Sequence, residues 1–343
     1  MEPCKPDWYR RLEKGPFQQK TFTSRSMLAV EKRVKNRASR HTRRIWVSGI
    51  VAAIAVVMTM SFPHWKSVFI GSIGTNIAAH TEQPPSDPKN KKELVRVENI
   101  SGDNWRGKMM FVSDPKSIRV VVTSEPEKGE RVTGMVKRTG AIAGVNGGLY
   151  ENPEGMGSGF LPIGLVVSEA KPFFVDKEAK QHIIGFTDTG NLLIGSYSME
   201  ELTKMRIKEA VTSFPQIISG GRPLISGSAM DWGLAPRTAV GQKADGTVIF
   251  IVIDGRQQAS IGATLKDIQA LFLKQDVVTA GLLDGGASSE LVLNGELVTT
   301  PSGQGGEQRI PTGFLVFDQP DRIVVENPWN GKYAHPDYVS ENR

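Results

Sequence analysis

Asp284 ends an apolar run in AGLLDGGASSELVLNGE (280–296) and is followed at once by Gly285, Gly286, Ser288 and Ser289. A carboxylate at a strand end, beside two glycines able to turn successive N–H groups inward and two hydroxyls, has the composition of an anion nest with an acid at its mouth. The alternative is a solvated corner. Three further segments carry related chemistry. In TVIFIVIDGRQQ (247–258) a β-branched and aromatic run ends in Asp254, Gly255 and Arg256. That is either charge delivered to the end of a buried strand or an Asp-Gly hairpin turn. In APRTAVG (235–241) Pro236 fixes φ just before Arg237 and Thr238 opens an alternating strand, so a permanently charged fork projects from a stiff strand entry. It suits a phosphate or carboxylate, or a neighbouring acid such as Asp254. In AGVNGGLY (143–150) Asn146 can donate and accept, and Gly147 and Gly148 permit close backbone approach or simply turn a strand into a loop.

The rest of the inventory narrows the chemistry. Five His stand at 41, 64, 80, 182 and 335, none adjoining these motifs, so a Ser-His-Asp triad and a His-rich metal site have little support. Two aspartates can bind a divalent oxygen-preferring cation, but without a dense acidic cluster the sequence supports no cofactor. The one cysteine, Cys4, excludes an intrachain disulfide and a multi-thiolate zinc site.

Short β-rich runs separated by turn signals must position these residues: SIRVVVT (117–123), AIAGV (141–145), IGLVV (163–167), HIIGF (182–186), NLLIG (191–195), QIIS (216–219), TAVGQ (238–242), AGLLD (280–284), ELVLN (290–294) and TGFLVF (312–317). Two stretches read as helix. One covers Ser198 to Ala210; the other runs from Thr264 to Gln275, with Thr264 and Asp267 at capping spacing and Leu265, Ile268, Leu271 and Phe272 on one face. The expected class is α+β: one β-rich domain around a mixed sheet with few helices, preceded by one transmembrane helix. No internal repeat points to a solenoid or propeller.

The chain has 343 residues, 39% hydrophobic and 23% charged, with a formal charge of +6. The basic excess is local. Residues 1–44 hold 13 of the 42 Lys/Arg and 4 of the 36 Asp/Glu, leaving 29 basic against 32 acidic residues elsewhere, so the net charge does not indicate a nucleic-acid partner. The uncharged run IWVSGIVAAIAVVMTMSF (45–62) would be about 27 Å long as a helix, enough to cross a bilayer. Cations crowd its upstream side, which puts the N-terminus in the cytoplasm and the chain after Pro63 outside. A cleaved signal peptide is the alternative. The expected organisation is a basic cytoplasmic tail (1–44), a signal anchor in the lipid bilayer (45–62), a proline-rich stalk (63–93), a folded domain (94–318) and a C-terminal extension (319–343).

The ordered set VNGG (145–148), PRTAVG (236–241), IDGR (253–256), LDGGASSE (283–290) and NGE (294–296) resembles the phosphodiester glycosidase family. The resemblance runs from about Leu94 to Phe317, and departs at Ala287, often a third glycine, and at Glu290, often threonine. It implies removal of a sugar joined through its anomeric carbon to a phosphodiester, with a glycosyl-phosphodiester or polysaccharide as substrate partner. Asp284 would then face the sugar ring and Asp254 would be the second carboxylate. Arg237 and the Gly285-Gly286 amides would bind phosphate, with Asn146, Gly147, Thr238, Arg256, Ser288 and Ser289 completing the site. A noncatalytic polysaccharide-binding or assembly protein of the same fold is the alternative.

Overall fold

Runs such as VIFIVI lack polar alternation and can form strands only where both faces are covered. The computed structural model describes residues 93–151, 161–176, 180–226, 232–303 and 305–329. The chain divides into two units, 1–84 and 85–343, and the described residues all belong to the second. The expected tail and span at 45–62 lie outside them. No helix among the described residues is long and apolar enough to cross a membrane.

The strands form three sheets. The first has the order β1 (Val95–Ser101), β2 (Arg106–Val112), β13 (Val248–Ile253), β12 (Arg237–Lys243), β14 (Val277–Leu282), β10 (Gln216–Ser219) and β11 (Arg222–Pro223). The second runs β16 (Glu296–Leu297), β15 (Leu291–Leu293), β4 (Ala143–Asn146), β17 (Thr312–Val316) and β3 (Ile118–Val122). The third runs β6 (Lys171–Val175), β5 (Leu165–Ser168), β9 (Ile207–Thr212), β7 (Gln181–Thr187) and β8 (Leu192–Tyr197). Three α-helices accompany them: α1 (Val132–Thr139), α2 (Met199–Lys204) and α3 (Leu265–Leu273).

One strand explains how the layers assemble. Along β13, Phe250 and Val252 enter a core shared by all three sheets, while Ile249, Ile251 and Ile253 pack on the opposite face with Leu265, Ile268 and Phe272 of α3. Alternate side chains point to opposite faces, so a six-residue apolar run serves two cores. In the shared core Phe314 of the second sheet meets Phe250 of the first at 6.2 Å and Phe186 of the third at 6.0 Å between ring centroids. A buried ion pair, Arg119 Nη1 to Glu209 Oε1 at 3.0 Å, also joins the second sheet to the third.

Several expectations are corrected. The sheet is not mixed: every strand ladder among the described residues is antiparallel. A parallel pair needs a long crossover, usually helical, and this chain has few helices. The helix expected over Ser198–Ala210 stops at Lys204, and Ile207–Thr212 becomes β9. Arg206 at φ 57° breaks the helix, and β9 lies between β5 and β7 with most of its residues buried. Helix α1 was not anticipated. Gly134 and four β-branched residues lower its propensity, and its N-cap, Arg131, makes no side-chain cap. Burial of Val132, Met135 and Val136 outweighs both. Within the segment 319–343, Pro320 O and Asp321 accept from Arg119, and Trp329 packs edge-on against Phe174.

Candidate active site

The ends of β4, β12 and β14 meet at Asn146, which is 1% exposed. Its Oδ1 accepts from Thr238 Oγ1 at 2.7 Å and from the Glu290 amide at 3.3 Å, while its Nδ2 donates to the Asp284 carbonyl at 2.7 Å. The amide orientation is fixed, because the reversed group would set an N–H against the Glu290 N–H. Gly147 extends the junction, donating to Thr312 O and accepting from the Asp284 amide. A Cβ at Gly147 would fall 2.4 Å from Thr312 Oγ1, and one at Gly148 would fall 2.6 Å from Thr212 O. These glycines serve the close approach of three sheets. Sequence reading gave Asn146, Gly147 and Thr238 to substrate; here their hydrogen bonds run within the protein.

Asp284 leaves β14 into a single 3-10 turn, Gly286–Ser288. Its carboxylate is bonded to the Ser288 hydroxyl and the Gly285 amide, and burial pushes its pKa up to about 6. The residue is nevertheless partly open to solvent. Ser288 Oγ also lies 3.2 Å from the Tyr150 hydroxyl, which donates to Gln308 Oε1 at 3.1 Å. Burial raises the Tyr150 pKa to about 12, so the phenol stays protonated. Neither Tyr150 nor Gln308 was singled out in the sequence. Tyr150 ends the AGVNGGLY segment and carries only an ordinary aromatic signal there; Gln308 carries none.

The expected nest is turned toward the protein. The Gly285 N–H serves Asp284 itself, and the Gly286 N–H donates to Pro236 O at 3.0 Å. Ser289 is buried, and its hydroxyl has no partner among the described residues. Arg237, 7% exposed, donates to the carbonyls of Ala263, Trp232 and Gly233. Arg237 precedes Thr238 on β12, so its side chain leaves the face opposite to the one that meets Asn146.

Arg256 stands beside the Gly286 turn. It is exposed, and its Nη2 lies 3.3 Å from where a Cβ on Gly286 would stand. Gly286 is at φ 64°, so the turn requires glycine and the absent side chain leaves room for the guanidinium. Arg256 itself sits at φ 57°, unusual for a long side chain, and is held by its N–H to Ile261 O at 3.0 Å. Asp254 is drawn elsewhere, its Oδ1 accepting from the Thr300 amide at 2.9 Å, with burial raising its pKa. No described hydrogen bond connects it to the Asp284 network.

Glu290 is fully buried and close to Glu307, which receives the Thr133 amide at the start of α1. Burial, then the Glu307 charge, pushes its pKa well above the usual carboxylate range. His182, set aside on sequence, is linked through Ser213 to the strand that delivers Asp284: its Nδ1 is 2.6 Å from Ser213 O, and Ser213 Oγ donates to Leu282 O.

Residues 139–317, over half of the chain, match the model of the phosphodiester glycosidase family. The chain belongs to that family. As a phosphodiester glycosidase family member it is 28% identical over 252 residues to the N-acetylglucosamine-1-phosphodiester alpha-N-acetylglucosaminidase of Mus musculus, an alignment covering 64% of this chain and 46% of the relative. It is 40% identical over 86 residues, 25% of this chain and 13% of the relative, to the SPbeta prophage-derived uncharacterized protein YomE of Bacillus subtilis (strain 168). The chain thus spans less than half the length of these curated relatives. The solved catalytic domain of the zebrafish N-acetylglucosamine-1-phosphodiester alpha-N-acetylglucosaminidase shares the fold, with a TM-score of 0.55 at 21% identity over 67% of this chain and 85% of that one. The family region holds Asn146, Arg237, Asp254, Arg256, Asp284 and Glu290. It begins inside α1, although β1 to β3 pair with or extend the sheets it forms.

Proposed function

We propose that this family member hydrolyses the anomeric C–O bond of a glycosyl-1-phosphodiester. The observation that carries the reading is that one exposed guanidinium, Arg256, stands beside Gly286 in the turn that follows one partly open carboxylate, Asp284. As the C–O bond lengthens, positive charge grows on the ring and negative charge on the departing phosphate. Asp284 faces the first and Arg256 the second. Water supplies hydroxide to the anomeric carbon, the bonding pair leaves with the phosphate oxygen as a phosphomonoester, and one proton passes to solvent. Since the leaving group is already a stabilised anion, a strong general acid is not required. The Ser288, Tyr150 and Gln308 hydrogen bonds hold the acid in place.

Incubating the protein with UDP-N-acetylglucosamine or a methyl glycosyl phosphodiester, and separating the products, tests this. Free sugar is expected; sugar 1-phosphate would mean cleavage at P–O and would overturn the reading. Arg256→Ala is expected to lower kcat/KM about 10- to 100-fold, mostly through KM, with an unchanged melt, because it removes an exposed charge-assisted bond to phosphate.

The same reading extends to location. The apolar run 45–62 with cations on one side supports a single-pass anchor that leaves residues 93–329 outside the cell, acting on a wall or exopolysaccharide polymer. Protease accessibility of the domain in intact cells tests that placement.

A further inference from the structure

We propose that Phe214 and Trp232 form a saccharide platform at the mouth of the Asp284 site, receiving a sugar ring that lies beyond the scissile phosphodiester. The proposal rests on the glycosidase reading and specifies the substrate class as an oligomer. Both residues are 46% exposed, an unusual state for large apolar rings standing side by side. They are also held in place. Their centroids lie 6.2 Å apart at 87°, the His182 ring stands edge-to-face on Phe214 at 6.5 Å, and the Arg237 guanidinium lies 5.8 Å from the Trp232 centroid.

Their location follows from the backbone. Ser213 Oγ donates to Leu282 O at 2.6 Å and the Leu282 amide donates to Pro215 O at 3.0 Å, so the residues on both sides of Phe214 are clamped to the strand that delivers Asp284. From the other direction, Trp232 O accepts from Arg237, and its neighbour Pro236 accepts from the Gly286 amide. Both rings therefore stand on loops hydrogen-bonded to segments that adjoin Asp284. A pyranose ring has an apolar C–H face, which fits exposed aromatic surface. A sugar phosphodiester with a polymeric aglycone must extend from Asp284 over neighbouring surface, and these rings offer it exposed aromatic faces.

The test uses a synthetic trimer of N-acetylglucosamine units joined through 1-phosphodiesters, compared with the methyl phosphodiester of one unit. Phe214→Ala and Trp232→Ala are each expected to lower the trimer-to-methyl ratio of kcat/KM at least about tenfold, and Trp232→Phe to restore most of it. An unchanged ratio overturns the platform. Calorimetric binding of the trimer to the Asp284→Asn protein is read in parallel. A protein that releases no sugar but binds the trimer, and loses about tenfold in affinity with Trp232→Ala, defeats the glycosidase reading while keeping the platform. Release of sugar with trimer affinity unaffected by both substitutions does the reverse. If the substitutions instead change the oligomeric state in light scattering and leave trimer binding intact, the surface is an interface between copies and the platform is overturned.

Discussion

Asp284→Asn is expected to lower kcat/KM on a glycosyl-1-phosphodiester by about a thousandfold or more, about 4 kcal/mol of transition-state stabilisation, while raising the melting temperature near neutral pH. Both effects have one origin. Burial favours the uncharged carboxyl and lifts the pKa to about 6, so the protein holds a carboxylate near pH 7 at a cost to its stability. A folded pKa raised above the unfolded one gives stability that is complete below about pH 4 and lost as the pH climbs through about 6. The variant should therefore gain about 1–2 kcal/mol over wild type near pH 7.5, a few degrees for a domain of this size, and the gain should vanish toward pH 4. Thermal melts of both proteins across that range measure it.

The activity profile of the wild type separates two roles for the same group. As ring stabiliser or nucleophile Asp284 must be ionised, so kcat/KM should rise with pH through about 6 and then level. A general acid would give the opposite limb, with activity falling above about 6.

How much of this was legible in the sequence depends on whether a signal was local. The buried strand at 248–253, the capped helix after Thr264 and the ordered family motifs were readable, because apolar runs, capping spacing and glycine placement survive in one dimension. The split of labour among the motif residues was not. Asn146 and Arg237 have the donors of ligand-binding side chains, and whether those donors meet substrate or protein depends on partners 92 and 26 residues away, Thr238 and Ala263. Arg256 is named by the IDGR motif, but its place beside Gly286 is not legible in the sequence. Phe214, Trp232 and His182 carry no periodic pattern that marks a shared surface. Their association comes from loops that the sheet order, not sequence proximity, brings together.

Asn146→Ala should be the most destabilising single change among the site residues, about 3–5 kcal/mol, or roughly 10 °C in the melt. The side chain closes three bonds between two sheets at a point nearly sealed from water, and alanine leaves the Thr238 hydroxyl, the Glu290 amide and the Asp284 carbonyl without that partner. Each such loss costs about 1–3 kcal/mol, moderated where a hydroxyl can rotate. Activity should fall too, since the Asp284 backbone is no longer held. Asn146→Asp distinguishes lost bonding from lost volume. Its carboxylate can still accept from Thr238 and Glu290 but cannot donate to the Asp284 carbonyl, whereas the protonated acid can do both. The deficit of this variant relative to wild type should therefore be smaller near pH 5 than near pH 8. A deficit independent of pH would mean that shape, not the donated hydrogen bond, is what the junction requires.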